Sequence, residues 1–224
     1  MNQETFGAGR GLADALNGYV YTASNPTPGT GLLGHAAPTT YDTTKPYLLV
    51  YNSKPGVLVC PYYLRLTVTV ASVGNASMRF TQALDPSATG AATTLSASRY
   101  SSAGTQLVPV NTRSDAGNAA AALVYAGAIV ASAASANART LSTQTFRTVI
   151  GVVGDVYQFS WGGPEIIDVA SLITTGSAVS NVTIGAAPVV IAPGHSFLLH
   201  QWAASQTTGP TCEVEFCWGE FPIL

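Results

Sequence analysis

Two glutamates, Glu213 and Glu215, stand two residues apart near the end of this 224-residue chain. On a β-strand such a pair shares one face at a separation of about 7 Å, within the range used by the two carboxylates of glycoside hydrolysis. Hydrolases, though, draw acid and base from different elements across a cleft. Here the alternate positions Cys212, Val214, Phe216 and Trp218 make an unbroken apolar row. The spacing therefore predicts a strand with Trp218 inward and both glutamates outward, on solvent or against another subunit. His195 and His200 are the only histidines close in sequence. Five residues apart they have opposite strand parity, so one regular strand cannot present both to a metal. His200, two residues before Trp202, reads as a core or interface histidine. Cys60, Cys212 and Cys217 are odd in number, and Cys212 and Cys217 differ in parity. They read as small apolar core residues in a reducing compartment. The chain has no G-x-S-x-G, H-E-x-x-H, C-x-x-C or Walker pattern. Gly7-Ala8-Gly9-Arg10-Gly11 does not follow a strand and is not read as a phosphate cradle. Trp161, Trp202 and Trp218 could furnish a sugar-stacking platform, but Trp161 and Trp218 fall in apolar rows that favour the core. No catalytic residue, cofactor or metal ligand is expected, and an enzyme is not the expected class.

Composition narrows the field further. Charged residues are 9% of the chain, against roughly 25% in an ordinary soluble domain. With 47% hydrophobic residues, full disorder is excluded. Nine basic residues scattered singly and a net charge of -2 give no electrostatic footprint for nucleic acid. The Ala-rich run 119–134 is shorter than the ~20 residues of a membrane helix, so no membrane partner is expected. The chain opens without a basic stretch followed by an apolar run, so no secretory signal is expected. The triplets Asn75-Ala76-Ser77 and Asn181-Val182-Thr183 are accordingly read as coincidental glycosylation motifs. Small neutral residues replace the missing charge. Such a surface suits either a neutral environmental protein or a subunit that hides its surface in an assembly.

The elements that must position these residues are strands. From Tyr47 onward the apolar period is two: Leu64, Leu66, Val68 and Val70 oppose Arg65, Thr67 and Thr69. Further strands are expected at 78–83, 107–110, 146–153, 156–161, 181–184, 188–192, 197–202 and 211–218. Gly154-Asp155 reads as a two-residue hairpin turn, and Pro193-Gly194 and Thr208-Gly209-Pro210 as turns. The stretch 85–104 is a long connection. Residues 121–131 are taken as a strand, with a helix as the alternative for 118–139. Many short strands separated by turn signals predict an all-β sandwich or barrel. Residues 1–45 differ: seven glycines and three prolines fall between Gly7 and Pro38. They are expected to form an extended arm outside the folding core. Tyr19, Val20 and Tyr21 are its apolar anchor, an interface able to add a strand to a neighbouring sheet edge.

The stretch 188–202, PVVIAPGHSFLLHQW, is followed after a Gly-Pro turn by 212–220, CEVEFCWGE. This succession resembles the jelly-roll virion proteins of tailed bacteriophages, as do 46–72 and 147–155. The resemblance implies an all-β, jelly-roll-like antiparallel β-sandwich over 46–224 with an extended N-terminal arm. It further implies a structural role as a capsid decoration (cement), head-fibre or tail-accessory protein. The expected partners are copies of itself in a homotrimer and the major capsid protein or another virion protein. The subunit would fold in the cytoplasm of the bacterial host and act on the virion. A receptor- or glycan-binding module of a fibre or tail is the alternative.

Overall fold

The protein was analysed as a computed structural model that describes residues 8–36, 39–74, 77–86, 100–102, 104–117, 119–131, 137–147, 150–162, 181–203 and 206–223. The elements in chain order are α1 (Ala8–Leu16), β1 (Val20–Ser24), β2 (Leu32–Leu33), β3 (Leu48–Asn52), β4 (Val57–Val70), β5 (Met78–Asp85), β6 (Tyr100–Ser102), β7 (Thr105–Leu107), β8 (Val110–Asn111), β9 (Ala122–Ala126), β10 (Val130–Ala131), β11 (Arg139–Arg147), β12 (Val156–Trp161), β13 (Asn181–Ala186), β14 (Ser196–Trp202) and β15 (Thr211–Pro222).

Strand pairing defines two large sheets and a separate two-stranded pair of β6 and β10. Sheet one runs β13-β12-β4-β15-β1-β8, with β2 also on β15; sheet two runs β11-β5-β14-β3-β9-β7. At their centres lie two sets of four, β1-β15-β4-β12 and β3-β14-β5-β11. Followed along the chain, these eight strands change sheet at every step except β5 to β11, which pair within sheet two; this is the order of a jelly roll, two Greek keys folded onto each other. β8, β13, β9 and β7 extend the edges, and β13 joins β12 in parallel.

The period-two pattern decides which side chains fill the space between the sheets. Across sheet one, Phe159, Leu64, Phe216 and Ala23 are cross-strand partners in one inward row, and Tyr157, Leu66 and Val214 in the next. Sheet two answers with Leu48, Val50, Phe80, Phe197 and Leu199. Aromatic rings interlock there: Phe80 meets Phe146, Tyr157 and Phe159, while Trp218 stacks between Tyr21 and Phe216. Pairs of this kind contribute about 0.5–1.5 kcal/mol beyond the area they bury.

The all-β sandwich is as the sequence implies, and the expected strand at 121–131 is two: β9 pairs with β3 over five residues, and Gly127, at φ 104°, breaks the run before β10. Other expectations are corrected. Residues 146–153 are not one strand; β11 ends at Arg147 in sheet two and β12 begins at Val156 in sheet one. Gly154-Asp155 therefore closes a crossover between sheets instead of a hairpin. Buried Asp155 shapes that turn, its carboxylate accepting from the Val152 amide (2.8 Å) and the Tyr157 hydroxyl (2.9 Å). Residues 188–192 make only one bridge, Val59 to Ile191. Residues 107–110 divide between β7 in sheet two and β8 in sheet one, with Pro109 at the parting. The middle of the 85–104 connection and the Asn75–Ala76 part of the first glycosylation triplet lie outside the described residues.

The expected boundary at residue 45 does not follow the sheet. The segment before β3 is long and mostly extended, yet β1 within it is a central strand of sheet one, and α1 precedes it. Tyr21 and Ala23 enter the core. After β1 the chain leaves the edge of β15, crosses the outer face of sheet one, and returns as β2 to the same edge. The crossing is tight: a Cβ on Gly31 would fall 2.7 Å from Thr211 Cγ2 and 2.9 Å from the Cys212 carbonyl carbon. The glycines that suggested a loose arm partly serve close backbone approach.

Candidate functional site

Residues with chemical potential fall in three places. The first is the outer face of sheet one. Here Gln158, Arg65, Glu215 and Ser24 are cross-strand partners on β12, β4, β15 and β1. Glu215 accepts from the Arg65 guanidinium and the Tyr63 hydroxyl. Burial, and then the hydrogen bond to Glu215, push the Tyr63 phenol well above its ordinary pKa. Glu213 accepts from the Gly29 amide of the crossing segment. Asn25 reinforces that segment, accepting from the Val214 amide (2.7 Å) and donating to the Thr30 carbonyl (2.7 Å). The cleft between these groups measures about 150 Å³, below the ~300–1,000 Å³ usual for small-ligand sites. Both glutamates point outward as the spacing predicts, but each has a protein partner. One ties β15 to β4 and the other holds the N-terminal segment against the sheet. Neither is placed as a general acid facing a base across a cleft.

The second place is the end of the sandwich where β1 begins. Tyr19, Val20 and Tyr21 were the expected intermolecular anchor. Val20 and Tyr21 instead pair with Gly219 and Trp218 of β15 on one side, and Tyr21 faces Asn111 of β8 on the other. β1 is thus an interior strand of its own sheet, paired with β15 along its whole length and with β8 at Tyr21 and Thr22, so its ladder is largely used within the chain. Tyr19 stays partly exposed, its ring edge-on to Phe221 at 5.8 Å. Beneath it lies a groove of about 330 Å³ lined by Tyr19, Tyr21, Lys54, Val57 and Glu220 among others. Glu220 was given no role by sequence reasoning. Its nearly buried carboxylate accepts from the amides of Ala121 (2.8 Å) and Ala122 (2.9 Å) and from the Trp218 indole (2.9 Å). It thereby fastens the end of β15 to the start of β9 in the opposite sheet. Its parity continues the inward row of Val214, Phe216 and Trp218, and that was the available signal: a carboxylate in an apolar row needs buried donors.

The third place is the outer face of sheet two. His200 is 1% exposed, as a core histidine should be. Its Nε2 lies 3.5 Å from the Thr43 carbonyl, and the Tyr41 ring meets its imidazole edge-on at 5.1 Å. Desolvation lowers its pKa to about 4. His195 is elsewhere, in the turn before β14, with Nδ1 2.9 Å from the Pro193 carbonyl. The histidine that tertiary structure brings towards His200 is His35, buried, with Nε2 3.3 Å from the Pro46 carbonyl. Burial lowers its pKa as well. Trp202 donates its indole N–H to Thr81 Oγ1 (3.0 Å), and the Arg79 guanidinium sits 4.9 Å from the centre of its ring.

None of the three cysteines is in a disulfide; Cys212 and Cys217 are buried and Cys60 is half-buried. Among the described residues no three His, Cys, Asp or Glu side chains are grouped as metal ligands, and no helix is long and apolar enough to cross a membrane. Compared with known proteins, the chain matches no family model, no curated protein and no solved structure.

Proposed function

We propose that the protein is a non-enzymatic structural subunit of a bacteriophage virion, a capsid decoration (cement) or minor capsid protein. One observation carries the reading most. At one end of the jelly roll, the connections β1–β3, β4–β5, β11–β12 and β14–β15 come together. Val73 exchanges backbone hydrogen bonds with Thr207 and Thr208, Gly34 donates to Pro210, and Gly154 donates to Val68. From this end, and the last turn of β4 beside it, Leu33, Val70, Val73 and Val153 are exposed. Leu33 and Val70 flank Thr211 from its two sides. A chain with 9% charged residues that also exposes aliphatic side chains at one pole is suited to burial against a neighbour. Glutamates already committed to structural bonds support a role without catalysis.

On this reading the subunit is a homotrimer whose partners are its own copies and the major capsid protein, and it is carried on the virion after folding in the bacterial cytoplasm. Closed symmetry is the usual solution for self-associating subunits. Attachment rests on apolar contact and backbone hydrogen bonds, so raised salt leaves it in place. Two measurements test the proposal. Sedimentation of the purified chain at micromolar concentration should give a trimer. Quantitative mass spectrometry of purified particles should count it in hundreds of copies per virion. A stable monomer overturns the oligomer, absence from purified particles overturns the virion role, and a few copies per particle redirect it to a tail device.

A further inference from the structure

α1 is docked the wrong way round for a surface helix. Its carboxylate, on Asp14, faces the body of its own chain and accepts from the Tyr62 hydroxyl (2.9 Å), and the Leu16 carbonyl at its end accepts from the Arg113 guanidinium (3.2 Å). Leu12 and Leu16, one turn apart on the side of the helix away from Asp14, are 64% and 66% exposed. A surface helix ordinarily turns such a stripe to the core and its charge to water.

Just past the helix the chain builds the complementary shape. The groove of about 330 Å³ at this end of the sandwich takes its apolar wall from Tyr19, Tyr21, Val57, Ala119 and Pro222, and its volume is of the order that holds a bound group. The two charged side chains that line it are engaged within the subunit. The Lys54 ammonium donates to the Ala119 carbonyl (3.0 Å), and Glu220 accepts from the amides of Ala121 and Ala122 and from the Trp218 indole. An apolar occupant therefore strands no charge, whereas a charged occupant finds both charges already taken.

We propose that these two features fit each other between copies of the chain: Leu12 and Leu16 of one subunit enter the Tyr19–Pro222 groove of the next, as the i and i+4 anchors of a helix laid in a groove. The inference rests on the homotrimer of the proposed function and says where that trimer is held. The occupant is a second copy because stripe and groove match in chemistry and every subunit carries one of each. Within one subunit they do not meet: Leu16 stays exposed although Gly18, two residues on, already lines the groove. A contact between two different patches is head-to-tail, and a closed ring is the arrangement that leaves no stripe and no groove uncovered. Tyr19 and Ile223 add exposed apolar surface at the same end. That end is remote from Leu33, Val70, Val73 and Val153. β15 starts at Thr211 between Leu33 and Val70 and reaches the groove at Pro222. The ring contact thus leaves the first pole free for a different partner.

The test is sedimentation of the full chain at micromolar concentration. Wild type should be a trimer. Leu12→Asn combined with Leu16→Asn should be a monomer with an unchanged circular-dichroism spectrum, since both leucines are exposed within the subunit. Ala119→Trp, which fills the groove from its exposed rim, should also be a monomer, and Leu33→Asn combined with Val153→Asn should remain a trimer. A trimer retained by the helix variant or by Ala119→Trp overturns this contact and leaves the homotrimer standing, as does loss of the trimer in the Leu33 and Val153 variant. A wild-type dimer overturns the ring. A wild-type monomer overturns the homotrimer itself, and this contact with it. If the helix variant or Ala119→Trp does not fold, cross-linking decides. Single variants Leu16→Cys and Ala119→Cys, co-expressed and mildly oxidised, should yield a disulfide between two chains that peptide mass mapping places at those two positions. Its absence overturns the proposal.

Discussion

The outer faces of the two sheets invert each other. On sheet one the middle row across the strands is Gln158, Arg65, Glu215 and Ser24; on sheet two the corresponding row is Ala83, Leu198, Leu49 and Tyr125. Sheet one is a half-buried and, but for β13, antiparallel sheet; β4 alternates over most of its length and β15 over Thr211–Phe216. Sheet two is covered on both sides, so β3 and β14 are buried almost without interruption. The contrast shows what each face can do. A wet face holds charged pairs at little cost, and it uses them to brace strands and the N-terminal crossing. A dry face keeps its histidines neutral and depends on whatever lies over it.

The comparison can be broken or sharpened at several points. The most severe is removal of residues 1–43. Because β1 contributes Tyr21 and Ala23 to the core and forms a full ladder with β15, this truncation should leave a molten or insoluble chain. A cooperative melt within a few degrees of wild type, by circular dichroism, would show β1 to be dispensable. Next, Trp218→Ala empties a fully buried site shared by both sheets and should cost roughly 3–5 kcal/mol in denaturant unfolding. Leu198→Ala, on the outer face of sheet two, should cost roughly 2–5 kcal/mol, whereas Val70→Ala at the exposed end of sheet one should stay within about 0.5 kcal/mol. Equal losses would abolish the distinction between a dry and a wet face.

Acid separates the faces more gently. The unfolded His200 binds its proton near pH 6.5 and the folded one only near 4, so the unfolded state carries more protons between those values. Stability from this group is complete above pH 6.5 and declines as pH falls towards 4. His200→Gln should flatten that part of the stability–pH curve, measured by urea midpoints; an unchanged slope would remove His200 from the account. A small effect is also expected for Glu215→Gln. It weakens a partly exposed pair with Arg65 and should cost about 0.2–1 kcal/mol, falling with added salt. Burial also pushes the Cys212 and Cys217 thiols up to about 12, so alkylation at pH 8 should reach Cys60 first. Modification of Cys212 before Cys60, seen by peptide mass mapping, would mean that the inward row of β15 is open to solvent.

Much of sheet one was legible because period two survives in the letters. In β15 the row of Cys212, Val214, Phe216 and Trp218 against Glu213 and Glu215 needs only local geometry to be interpreted. The crossover at Gly154-Asp155 was misread because a glycine–aspartate turn is the same locally whether the next strand pairs with the last one or jumps to the other sheet. α1 was hidden by its glycines, whereas the strand at Tyr19–Ala23 was legible and only its membership of sheet one was hidden by the Gly/Pro stretch that follows it. At the candidate sites, the pairing of Glu215 with Arg65 needed the β4–β15 register, and the approach of His35 to His200 spans 165 residues of sequence. No spacing rule reaches that far.

Strand content, the inward face of β15, the scarcity of charge and the outward direction of both glutamates were fixed by residue order alone, since each depends on alternation over a few neighbours or on composition. Which sheet each strand joined, that the N-terminal segment supplies an interior strand of sheet one, and that the outer face of sheet two is apolar at its centre were decided only by tertiary structure. The reason is physical. A strand's hydrogen-bonding edges are chemically alike along every sequence, so partners are selected by how whole rows of side chains fit across the core, and that fit exists only once the sheets have met.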